Sequence, residues 1–156
     1  CSSDLCFLKS FMACKNYQSG NNLAYMLHRG EVPKDLHCPS IEELLITGID
    51  NDYSFSIINY SLCLAKGYGI ERDWREADKT FGKLVEVGKD EDFSFWLNKS
   101  KKDDDGDGHL TVAWLARYGI TADPEDLSID ERLNRAKEKG FDVPSWMNEK
   151  AVTALK

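Results

Sequence analysis

Three stretches follow one pattern: NNLAYMLHRGEV at 21–32, NYSLCLAKGYGIERD at 59–73 and LTVAWLARYGITAD at 110–123. Each reads as an apolar helix bearing Ala and Leu that stops at a glycine, namely Gly30, Gly69 or Gly119. Glycine past a last helical turn takes the left-handed conformation that closes a helix, at no steric cost. A second helix start follows each glycine, at Ser40-Ile41-Glu42-Glu43, Asp73-Trp74-Arg75-Glu76 and Ser128-Ile129-Asp130-Glu131. A capping Ser or Asp with Glu three residues on satisfies the unpaired amides of a helix's first turn. The second helices are expected to end near Gly48, Gly88 and Gly140.

Apolar spacing agrees. Phe55, Ile58, Leu62 and Ala65 fall on one helical face, and Trp74, Ala77, Phe81, Leu84 and Val85 on another. Strand-like alternation is nearly absent. The expected fold is all-α: stacked antiparallel helical hairpins at about 20–49, 53–88 and 109–141, in a single domain spanning 1–156. A lone hairpin cannot bury its apolar face, whereas stacking makes a continuous core. CFLKSFMAC at 6–14 reads as a leading helix and DEDFSFWLNKSKK as a short helix between the second and third hairpins. A capping helix is expected over 145–156, with Ser145 as its cap. Trp74 and Trp114 are expected in the core.

LCLAKGYGIERDWREADKTF resembles a Sel1-like repeat, a relative of the tetratricopeptide repeat. The resemblance rests on Gly67, Gly69, Ile70, Asp73 and Ala77. The third unit keeps Tyr118-Gly119-Ile120 but has Arg117 in place of the first glycine, and the first keeps little beyond Gly30. The resemblance implies a short solenoid that serves as an adaptor for protein complexes, often in the bacterial envelope.

Chemistry concentrates in KKDDDGDGHLTVAWL at 101–115. Counted from Asp103, carboxylates stand at positions 1, 3 and 5 (Asp103, Asp105, Asp107), with Gly108 sixth and His109 next, the alternation with which a calcium loop wraps a hard cation. Position 12, which should give a bidentate Glu, is Trp114. The loop is therefore expected to bind calcium weakly through Asp103, Asp105, Asp107 and His109, or else to be an acidic loop whose Asp caps the following helix. His28, His37 and His109 fit no metalloprotease spacing, and no phosphate-binding glycine loop or nucleophile elbow occurs. No catalytic residue is expected.

The net charge of −7 disfavours nucleic acid, because phosphate backbones are repelled. Asp90, Glu91, Asp92, Asp103, Asp104, Asp105 and Asp107 gather seven acids in one region, the expected contact surface for a basic-surfaced protein. A compact acidic binder fits an inhibitor, such as an immunity protein that neutralises a secreted bacterial toxin, charge complementarity speeding association. The alternative is an envelope lipoprotein adaptor with a weak calcium loop.

The opening Cys1-Ser2-Ser3 is like the mature start of a bacterial lipoprotein, with Cys1 as the lipidated residue and the periplasm or envelope as the expected location; the alternative is cytoplasmic. The remaining four cysteines, Cys6, Cys14, Cys38 and Cys63, are then disulfide candidates in an oxidising compartment. Cys6 with Cys14 is the least favoured pair, since a helix separates their Cα atoms by about 12 Å and a disulfide spans less than about 7 Å. Asn59 and Asn98 open two N-x-S sequons.

Overall fold

The structure, a computed structural model, describes residues 2–88 and 91–151. All regular structure among them is helical. The chain divides into two compact units, Cys1–Thr80 and Phe81–Lys156, where the sequence led us to expect one domain. The hairpin expected over 53–88 straddles that division.

The first unit contains α1 (Ser3–Cys14), α2 (Tyr17–His28), α3 (Ile41–Asp50), α4 (Ser54–Lys66) and most of α5 (Trp74–Phe81). Helices adjacent in sequence pack on one another, α1 on α2, α2 on α3 and α3 on α4. Phe11, Leu23, Ala24, Ile41, Leu44, Leu45 and Cys63 form the buried cluster between them. The expected caps are in place. Ser40 Oγ accepts the Glu43 amide at 3.1 Å and Asp73 Oδ1 accepts the Glu76 amide at 3.0 Å. Gly30 (φ 71°) donates to the Leu27 carbonyl while Glu31 donates back to Met26, the paired bonds that close α2. At α4 the closing residue is Gly67, not Gly69: its left-handed backbone donates to the Cys63 carbonyl at 2.8 Å. Gly48 lies within α3, two residues before its end, because α4 passes close by: a Cβ there would stand 1.9 Å from Ser56 Oγ. Inside the unit, Asn21 Oδ1 accepts from Asn59 Nδ2 at 2.8 Å, tying α2 to α4. Asn59 is thus buried, and the folded chain offers only Asn98 of the two sequons at its surface.

The second unit holds α6 (Leu84–Val87), α7 (Ser94–Lys101), α8 (Gly106–Arg117), α9 (Ile129–Glu138) and a 3-10 turn at Ser145–Asn148. α8 is its centre: all but three of its twelve residues are buried, and α7 and α9 pack on it. Phe81 stacks on Trp114 at 4.9 Å between ring centroids. Ser128 and Glu131 form a complete reciprocal capping box at the start of α9. Arg117 at the end of α8 donates to the Glu149 carbonyl and accepts the Ala151 amide through its own, holding the segment after the 3-10 turn.

Four further local expectations are corrected. The second helix of the middle hairpin does not run to Gly88 but breaks after Phe81, where Gly82 lies against the Tyr118 ring. α8 starts at Gly106, three residues earlier than the hairpin boundary at 109. The helix expected over 145–156 is, within the described residues, a four-residue 3-10 turn capped at Pro144, with Ser145 inside it; Val152 and Leu155 lie outside them. Trp114 is buried, but Trp74 is only half-buried.

Candidate functional site

The acidic loop joins α7 to α8, and most of its carboxylates are committed to holding those helices. Asp105 caps α8, accepting the Asp107 amide at 2.8 Å, and its other oxygen lies 3.5 Å from Lys99 Nζ. Asp107 sits in the first turn of α8. Asp104 takes a left-handed backbone (φ 49°), which Asp tolerates better than most residues, and reaches back to His109 Nε2 at 2.6 Å and across to Lys139 Nζ at 2.9 Å. Those two bonds, His109 first and Lys139 second, hold its carboxyl at about 2, below the usual range. Asp103 is exposed.

This geometry departs from a calcium loop. A calcium loop keeps its first positions extended around the ion. Here positions 4 to 12, from Gly106 to Trp114, are already α8, so Asp107 rides the helix while Asp103 stays outside it. His109 is buried and faces Asp104 and Arg132. Among the described residues no cluster of three or more His, Cys, Asp or Glu side chains forms a metal cradle. Gly108 serves close packing, not a turn. A Cβ on it would stand 2.5 Å from the Ser100 amide nitrogen and 2.8 Å from the Lys99 carbonyl carbon. Gly106 likewise lies against Lys139 and Phe141.

Behind the loop lies a polar chain that periodicity did not announce. His109 Nδ1 is 3.1 Å from an Arg132 guanidinium nitrogen, and both side chains are 0% exposed. Arginine only donates, so Nδ1 must present its lone pair and Nε2 must carry the proton given to Asp104. Arg132 in turn grips Asp123 through two bonds, at 2.8 and 2.6 Å, with Glu125 at 3.3 Å. Burial alone would raise the Asp123 carboxyl, but the bonds from Arg132 and from the Glu125 amide outweigh it and lower it. The chain Asp104–His109–Arg132–Asp123 therefore fastens the loop before α8 to the loop before α9. It is sealed from solvent at its centre, which suits an architectural role better than an exposed reaction centre.

Of the other acids, Glu91 and Asp92 are exposed just before α7, with Asp92 Oδ1 accepting the Ser94 amide at 2.9 Å. Asp90 lies outside the described residues, as does Cys1. Between these acids and Asp103 runs α7, from which Phe95 projects with 44% of its surface exposed, its ring edge-on to Trp96. The sequence pattern marked α7 but not the exposure of Phe95.

No disulfide links Cys6, Cys14, Cys38 and Cys63. Cys6 and Cys14 are exposed on α1, Cys38 is half-buried, and burial, then the nearby Asp4, raises its thiol. Cys63 is buried with its sulfur 3.9 Å from His28 Nδ1, and Tyr68 stands edge-on over that imidazole. His37 is exposed. None of the described helices is long and apolar enough to cross a membrane.

Comparison with protein-family models, with curated proteins and with solved structures finds no match to this chain.

Proposed function

We propose that this chain is a protein-binding module that neutralises a basic-surfaced partner, such as a secreted bacterial toxin, by direct contact, and that it performs no catalysis of its own. The observation that carries the proposal is the surface of α7. A helix of eight residues, about 12 Å long, presents an exposed aromatic ring, Phe95, between exposed carboxylates at its two ends, Glu91 and Asp92 before it and Asp103 and Asp104 after it. Energetically dominant interface residues are typically aromatic anchors surrounded by groups that exclude water, while rim charges steer encounter. The carboxylates at either end stand on backbone that is already fastened, by Asp92 to Ser94 and by Asp104 to His109 and Lys139, so little ordering remains for binding.

The helices are read as stacked hairpins of the Sel1-like kind. In support, a helix closed by a left-handed glycine and followed by a capped second helix recurs at Gly30 with Ser40, Gly67 with Asp73, and Gly119 with Ser128. Capture with a tagged chain from the source cells, followed by mass spectrometry, tests the function. A single one-to-one partner that is toxic when expressed alone supports it; a partner that remains equally toxic with the chain bound sinks it.

A further inference from the structure

The second unit carries an open groove of about 650 Å³ between the C-terminal end of α8 and the N-terminal end of α9. The volume falls within the roughly 300–1,000 Å³ typical of ligand sites. Its aliphatic lining comprises Ala116, Ala122, Leu127 and Ile129. Its rim bears the exposed carboxylates of Asp126 and Asp130, against the exposed cation of Lys150. Asp123 also borders it, but that carboxylate is occupied by Arg132.

The groove is shaped by elements already described. Gly119 and the Ile120 amide close α8 onto the Ala116 and Leu115 carbonyls, turning the chain away from the helix axis. A Cβ on Gly119 would meet nothing within 4 Å, so the groove is open at that end. Asp126 holds a left-handed backbone (φ 57°), and its amide donates to the Asp123 carbonyl, which fixes its position on the rim. The Ser128 capping box fixes the start of α9, and with it Ile129 and Asp130.

We infer that this groove docks a cationic, aliphatic segment of the protein partner, seating an apolar side chain against Ala116, Leu127 and Ile129 and a Lys or Arg beside Asp126 and Asp130. The charge of the rim argues for that occupant: with Asp123 bonded to Arg132, the rim presents two exposed carboxylates, Asp126 and Asp130, against one exposed cation, Lys150, and is net negative. The inference rests on the proposed function in taking a basic protein as the partner, and adds a second contact region to the α7 surface.

The test is an amide NMR titration of the full 156-residue chain with an acetylated, amidated Leu-Lys-Leu-Arg-Leu peptide, with the same peptide bearing Glu in place of Lys and Arg as control. Shifts should concentrate at Ala122, Leu127, Ile129 and Asp130, with the control silent. Asp126→Asn with Asp130→Asn should weaken binding about tenfold, the size expected for two exposed ion pairs. Asn tolerates the left-handed backbone at 126, so the variant keeps the fold. Shifts absent from the groove, or affinity unchanged in the double variant, would overturn the inference. Shifts confined to the surroundings of α7 would overturn the groove while leaving the basic-partner reading in place. A native partner that proves acidic would overturn that reading instead, whatever the peptide does.

Discussion

Arg132 and Asp123 meet through two parallel bonds at 2.8 and 2.6 Å, inside a unit where the guanidinium is 0% exposed. A buried pair of this kind is costly to break from one side, because the remaining charge has no water to turn to. Asp123→Ala should destabilise the second unit by about 3–5 kcal/mol. Adding Arg132→Met should recover part of that loss, since the buried cation, left with the partly exposed Glu125 carboxylate at 3.3 Å, is gone. Urea unfolding followed by tryptophan fluorescence measures both; a double variant weaker than Asp123→Ala alone would contradict this reading of the pair.

Asp104 gives the pH dependence. Its folded carboxyl is held at about 2 by His109 and Lys139, below the ordinary 3.8. A depressed folded value contributes stability that is present above the unfolded value and lost as pH falls through the folded one. Between about pH 4 and 2 the wild-type chain should therefore lose stability more steeply than Asp104→Asn. Asn suits the left-handed backbone, so the comparison isolates the charge. Parallel acid limbs for the two proteins would show that the Asp104 bonds do not persist in solution.

Gly108 is a packing glycine. Alanine there would place Cβ 2.5 Å from the Ser100 nitrogen, and backbone cannot rotate aside as a side chain can. Gly108→Ala should cost about 1–3 kcal/mol despite alanine's better helix propensity. A neutral or stabilising result in thermal unfolding would mean that α7 and α8 are further apart than described.

The capping box at α9 offers a smaller effect. Ser128 Oγ accepts the Glu131 amide at 3.1 Å, and Glu131 accepts the Ser128 amide in return at 2.8 Å. Ser128→Ala should cost about 1 kcal/mol. Hydrogen exchange should quicken at the first amides of α9 and remain unchanged within α8; uniform quickening of both would contradict a local cap.

The helices were legible in the sequence because their ends carry chemistry of their own. Ser40, Asp73 and Ser128 cap what they were expected to cap, and Gly30, Gly119 and Gly140 all take a positive φ. What escaped depends on neighbours distant in sequence. The spacing of Asp103, Asp105 and Asp107 suits a cation, yet the loop is organised not only by the nearby Lys99 but by Lys139 and Arg132, which no local pattern connects to it. The break after Phe81 comes at Gly82, which lies against the ring of Tyr118, a neighbour far along the chain. Gly108 stands where a calcium loop needs a glycine for its sharp turn, but glycine's tolerance of close approach and its tolerance of turns look alike in a sequence.

The most direct test of the proposed binding surface is a calorimetric titration of the captured partner with the wild-type chain and with a Glu91→Gln, Asp103→Asn, Phe95→Ala variant. These three side chains are exposed on α7 or beside its ends, so the variant should fold normally. We expect one-to-one binding that weakens at least tenfold in the variant, about 1.4 kcal/mol or more, with a shallower salt dependence. Equal affinity and equal salt dependence for the two proteins would contradict the assignment of α7 as the contact surface.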